Sequence, residues 1–250
     1  MSRMVFRIEW YRWLRTRRLV ALVAAFALFG CLSLFGAKYL PDLLGQSSEI
    51  RLLRTPDWHD GLQQYVKNSG LLLAAVSMVL AAQACAVRGD TAIGIYYLSR
   101  ETSPLRLYLP RLLVAGGVVA AAALFGAALA LYECHALFGP FPLAAATSWL
   151  AVQWFALITI AIFTASLAAR THSAGLAAAT TAGLYVLSLF AASLPSVQPW
   201  LPTTALQPTI TTTAPSLPAA TKSLAALLIL SALATTSALT TPIRTIRTTS

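Results

Sequence analysis

The run LLVAGGVVAAAALFGAALALY, Leu112 to Tyr132, contains no Asp, Glu, Lys or Arg, and its reading decides the fold. About 20 apolar residues wound as a helix cross roughly 30 Å of hydrocarbon with every backbone amide satisfied internally. Outward from this run the pattern repeats, and the sequence predicts spans at Leu19 to Ala37, Ser69 to Val87, Leu112 to Tyr132, Ser148 to Ala169, Ala174 to Leu194 and Ser223 to Thr241. The last is the most dilute, because Thr235, Thr236 and Ser237 follow its apolar core, although hydroxyls in a helix can bond back to the preceding turn. Overall 58% of residues are hydrophobic and 10% charged, against about 25% charged in soluble domains. The expected fold is all-α: a single polytopic membrane domain, residues 1–250, of six transmembrane helices preceded by an interfacial amphipathic helix.

The net charge of +10 does not indicate nucleic acid, since the basic residues gather at the ends of apolar runs instead of forming a soluble face. With the N-terminus inside, the cytoplasmic segments hold Arg3, Arg7, Arg12, Arg15, Arg17, Arg18, Arg88, Arg100, Arg106, Arg111, Arg170, Arg244 and Arg247, thirteen of the eighteen basic residues. The outer segments hold Lys38, Arg51, Arg54, Lys67 and Lys222, and the largest offsets them with Asp42, Glu49, Asp57 and Asp60. This asymmetry predicts a multi-pass membrane protein with both termini cytoplasmic.

The first apolar run is too long for a signal-peptide core and lacks a small-x-small cleavage site, so it reads as an uncleaved span. Before it, Phe6, Trp10 and Trp13 fall on one helical stripe, with Arg15 among the arginines elsewhere around the helix, which predicts a helix lying at the headgroups. Two outer loops are expected, 38–68 and 195–222. The first carries Pro41-Asp42 and Pro56-Asp57 turns. The second has six prolines, many threonines and no acidic residue, which excludes a long helix through its middle and leaves short re-entrant or interfacial pieces around Trp200.

The cytoplasmic segment 88–111, joining the second and third spans, mixes charge, glycine turns and the apolar Ile93, Ile95, Tyr96, Tyr97 and Leu98. An apolar patch for burial with charges for register is what a docking site for a soluble partner requires. Within it stand Asp90-Thr91, Leu98-Ser99-Arg100, Ser103-Pro104-Leu105-Arg106 and Arg111. This order, after a basic N-terminal helix, one span and a sizeable outer loop, resembles the six-helix permease subunits of ABC-type exporters (type-2 ABC transporter membrane proteins). There, the corresponding loop has an acid near Gly-Thr, a Leu-Leu-Ser-like step, a Pro-x-x-Arg-like element and a basic residue opening the third span. This chain departs from the pattern by placing Gly89 before the acid and by compressing the spacing.

The resemblance implies transport across the plasma membrane, the bacterial inner membrane being the expected site, driven by a separate cytoplasmic ATP-binding subunit that carries the ATP and Mg, while the apolar spans with few polar groups favour a hydrophobic or amphipathic cargo. It further implies that Asp90, Thr91, Arg100, Glu101 and Arg106 contact that subunit, that a second permease copy or paralogue completes a dimer, and that 195–222 is the outer re-entrant segment. The alternative is a non-transport membrane scaffold or sensor docking a cytoplasmic partner.

The chain has no Gly-x-x-x-x-Gly-Lys-Ser/Thr loop, Gly-x-Ser-x-Gly or His-Glu-x-x-His, so neither catalytic nor metal-ligating residues are expected and no cofactor is assigned to the chain itself. Glu133-Cys134-His135 reads as a helix terminus, and Cys31, Cys85 and Cys134 as buried thiols. The spans lack carboxylate pairs, which disfavours a proton-coupled carrier. Gln83 and Gln153, their main polar groups, are expected to bond between helices. Small residues recur four apart at Gly116/Ala120, Gly126/Ala130 and Gly175/Ala179/Gly183, rows that let helices approach closely within or between subunits.

Overall fold

The computed structural model describes residues 3–45, 55–87, 94–95, 103–213 and 217–241. Helix α1 (Arg3–Arg15) is followed after a two-residue turn by α2 (Arg18–Gly45). Then come α3 (Trp58–Asn68), a π-helical turn (Ser69–Leu73), α4 (Ala74–Cys85), α5 (Pro104–Phe138) and α6 (Leu143–Thr171). Helix α7 (Ala174–Ala191), a short 3₁₀ turn (Gln198–Trp200), α8 (Pro202–Leu206) and α9 (Leu217–Thr240) complete the chain. Among the described residues there is no strand. Six helices are long and apolar enough to cross a membrane: α2, α3 continuous with α4, α5, α6, α7 and α9. The fold is all-α and polytopic.

The spans run further than the apolar runs alone predict. The expected outer loop 38–68 is largely helical, because α2 continues to Gly45 and the second span begins at Trp58. Asp57 starts that span as a capping box: its carboxylate accepts from the amides of His59 and Asp60, while Asp60 accepts from the amide of Asp57. The polar composition of 58–68 hides an amphipathic helix whose Leu62, Tyr65 and Val66 are buried. Likewise α5 reaches Phe138 and α6 starts at Leu143, with Gly139 at φ 81° closing α5. Glu133, Cys134 and His135 occupy the last turns of α5 and point apart: Cys134 is buried, Glu133 half-buried and His135 exposed.

Helix α6 is the hub, packing against α4, α5, α7, α8 and α9, while α2 lies along α5. The core is dominated by alanine, with Ala74, Ala81, Ala115, Ala122, Ala156, Ala161 and Ala165 all buried. Small side chains bring helices close where lipid gives no hydrophobic drive to associate, so van der Waals contact and interhelical hydrogen bonds hold the bundle. At Gly126 an added Cβ would stand 3.0 Å from Phe26, and at Gly116 3.1 Å from Ile162, so these two small-residue rows pack inside the chain. The third does not: Gly175 and Gly183 have nothing within 4 Å of an added Cβ.

The sixth span holds together as its hydroxyls allow. Thr236 and Thr240 bond back to Ala232 and Thr236 carbonyls at 2.8 Å, and Thr235 pairs with Ser166 of α6 at 2.9 Å.

Candidate functional site

The bundle has two polar ends, called here the base, where α1, the end of α4 and the start of α5 meet, and the top, where α3, the α5–α6 turn and α8 meet.

At the base, α1 turns its Glu9 and Trp13 inward, four residues apart on one face. Glu9 is 1% exposed and Arg111 of α5 is 2% exposed, and the Arg111 Nε donates to Glu9 Oε1 at 3.1 Å. Arg12 Nη1 donates to the other carboxylate oxygen at 3.0 Å, and its Nη2 donates to the Ala84 carbonyl at 2.8 Å. Ala84 lies in the last turn of α4, where carbonyls have no intrahelical partner and the helix dipole favours a cation. Two guanidinium groups thus clasp one carboxylate and one helix terminus. Helix α1 is thereby tied to the second and third spans at the two points from which segment 88–102 departs and returns.

Breaking such a buried pair by removing one partner costs about 3–5 kcal/mol, because the charge left behind has neither water nor a counter-ion. Beside it, Tyr108 OH lies 3.3 Å from His172 Nδ1, joining α5 to the α6–α7 turn, where His172 takes the left-handed backbone (φ 55°) that ends α6.

The sequence-predicted residues divide. Asp90, Thr91, Arg100 and Glu101 lie outside the described residues. Arg106 is exposed in the first turn of α5, whereas Arg111, expected only to open the third span, is turned into the bundle. The aromatic stripe of α1 is corrected: Phe6 and Trp10 are exposed, but Trp13 is 2% exposed and packs into the core with Leu22, Phe26 and Cys85. Arg15 is exposed. The inward face of α1 is therefore set by Glu9 and Trp13, the Glu9 charge being carried inside by its pairs with Arg111 and Arg12. Glu9 itself was missed, although it is the one carboxylate before Asp42 and sits among six arginines.

At the top the polar groups are uncharged. The π turn leaves backbone carbonyls displaced from ordinary helical pairing, and side chains from other spans meet them. Gln153 of α6 donates to the carbonyls of Val66 and of Leu206, both at 2.8 Å. Tyr185 of α7 donates to the Gly70 carbonyl at 2.8 Å and accepts from Gln207 at 2.8 Å. Gln63 of α3 closes the set, donating to the Pro208 carbonyl at 3.2 Å and accepting from the Ile210 amide at 2.9 Å.

Helix α8 is thereby held against the π turn with Thr203, Ala205 and Leu206 buried. A Cβ on Gly70 would stand 2.2 Å from the Leu206 carbonyl oxygen, so only glycine permits this approach. Gln153 bonds between elements as predicted. Gln83 does not; it is exposed and makes no hydrogen bond with the described residues. Lys38, at the same end, donates to the Leu137 carbonyl near the end of α5 and lies over the Phe138 ring.

No protein-family model matches the chain, and no curated protein or solved structure is similar to it at a significant level.

Proposed function

We propose that the chain is the membrane-spanning permease subunit of an ATP-driven ABC-type exporter, with ATP and Mg bound by a separate cytoplasmic subunit and a hydrophobic or amphipathic cargo moved across the plasma membrane. The observation that carries this reading is the clasp of Glu9 by Arg12 and Arg111, which joins α1 to both helices that flank segment 88–102. A partner pressing on that segment would push on a braced base instead of a free loop, so its closure would be passed into tilting of α4 and α5. Asp90, Thr91, Arg100, Glu101 and Arg106 remain the proposed contacts, on the resemblance of their motif.

In this reading the base is cytoplasmic and both termini are inside, as the distribution of arginines favours. A second copy or paralogue completes the transporter. The open face of α7 around Gly175, Ala179 and Gly183 suits such a close approach.

The test is co-purification of the tagged chain from its native host, followed by nucleotide hydrolysis. The reading expects an ATP-binding protein in the complex, and expects Asp90→Lys with Arg100→Glu to uncouple hydrolysis from export. It fails if no ATPase accompanies the chain and the double variant exports normally.

A further inference from the structure

A second feature at the top stands apart from the clasp and from any ATPase. A cavity of about 310 Å³ opens between α6, α7, α8 and the start of α9. One wall is apolar, formed by Val152, Leu189 and Ala192; the other is polar, formed by Gln198, Thr203 and Gln207. Every lining residue comes from the stretch after Glu133, and that stretch contains no Asp or Glu at all. Lys222 is the cation nearest this wall in the chain, its ammonium 5.8 Å from the centre of the Trp200 ring. Trp200 is half exposed and follows the cavity-lining Gln198.

Thr203 stands behind the polar wall. It is 5% exposed, and its hydroxyl has no hydrogen-bond partner. Thr159, Thr164 and Thr181 within the spans all bond back to the carbonyl four residues earlier. Thr203 makes no such bond, although its neighbour Thr204 donates to the Gln198 carbonyl at 2.6 Å. The Gln198 amide likewise makes no hydrogen bond with the described residues.

We infer that this cavity binds one membrane phospholipid with an anionic headgroup. The volume stands at the lower end of the ~300–1,000 Å³ typical of ligand pockets, which suits one acyl chain along the Val152 and Leu189 wall. The phosphate then lies toward Lys222 and Trp200, residue types that seat at headgroup depth. The exposed Gln198 side-chain amide donates to its oxygens. A cationic amphiphile is disfavoured, because the walls hold no carboxylate to receive it.

The experiment is native mass spectrometry of the full chain released from neutral detergent, titrated with dioctanoyl phosphatidylglycerol or dioctanoyl phosphatidylcholine. One phosphatidylglycerol adduct per chain is expected, favoured about fivefold over phosphatidylcholine, the contribution of one lysine near a headgroup. Lys222→Gln, an exposed substitution, removes that preference. Gln198→Leu weakens the phosphatidylglycerol adduct, and Leu189→Trp, which fills the cavity, removes both adducts. Equal adducts for the two lipids, or a preference that survives Lys222→Gln, overturns the inference. So does displacement by glycerol 3-phosphate at the same concentration, which would mark a soluble-anion site without need of an acyl chain.

Discussion

The two ends of this bundle solve the same problem by opposite means. At the base, buried polar atoms are satisfied by full charges, Glu9 between Arg12 and Arg111. At the top they are satisfied by neutral amides and a phenol, Gln153, Gln207 and Tyr185, laid onto backbone carbonyls. A charged clasp is all-or-nothing, because a lone buried ion is far costlier than a lone amide. A neutral network loosens in steps. The base is thus built to stay shut, while the top can yield one bond at a time.

The sharpest break in this comparison is Glu9→Ala, which removes the carboxylate that both guanidinium groups share. A loss of about 3–5 kcal/mol is expected, read as a lowered unfolding midpoint of the purified protein in detergent. The double variant Glu9→Met with Arg111→Met restores most of it, since the buried charge is gone along with its partner. If Glu9→Ala is silent, α1 is not clasped.

Next in size is Gly70→Ala, which drives a methyl into the Leu206 carbonyl. It costs about 1–3 kcal/mol and lifts α8. Faster thiol labelling of Leu206→Cys in the Gly70→Ala background, over the labelling of Cys31, reads the displacement directly.

Gln153→Leu removes two bonds to carbonyls and costs about 1 kcal/mol, near the average of 0.6 kcal/mol for each interhelical bond in membrane proteins. If it proves as damaging as Glu9→Ala, the top is as brittle as the base and the contrast between the ends fails. Smallest of all, Gly183→Ala meets nothing inside the chain and leaves the midpoint of the isolated chain unchanged or slightly raised, as alanine favours helix. A drop seen only in the oligomer would place this face in a subunit contact.

How much of this was readable beforehand depended on the kind of residue. Leu112 to Tyr132 declares a span because absence of charge over such a length has one physical outcome. The helix that leads into the second span is hidden because His59, Asp60, Gln63, Gln64 and Lys67 look like loop, while the signal that they are helix is the spacing of Leu62, Tyr65 and Val66. Glu9 was legible in principle, as a lone acid among arginines that has to choose a partner. The top network was not, since it requires knowing that the carbonyls of Val66, Gly70 and Leu206 meet, and a backbone atom carries no mark in the sequence. The prolines of 195–222 exclude a long helix through its middle, where the 3₁₀ turn and the short α8 stand, but nothing in the sequence marks the surface that receives α8.

The clasp also fixes an order of events during synthesis. Glu9 and Arg111 are 102 residues apart, and at roughly 5–20 residues per second the arginine emerges about 5–20 seconds after the glutamate. Through that interval Glu9 lacks the Arg111 counter-charge and keeps to water or headgroups. Helix α1 is therefore made before the spans yet seated only once the third span has arrived, and any handling of the nascent chain that holds the third span back leaves α1 undocked.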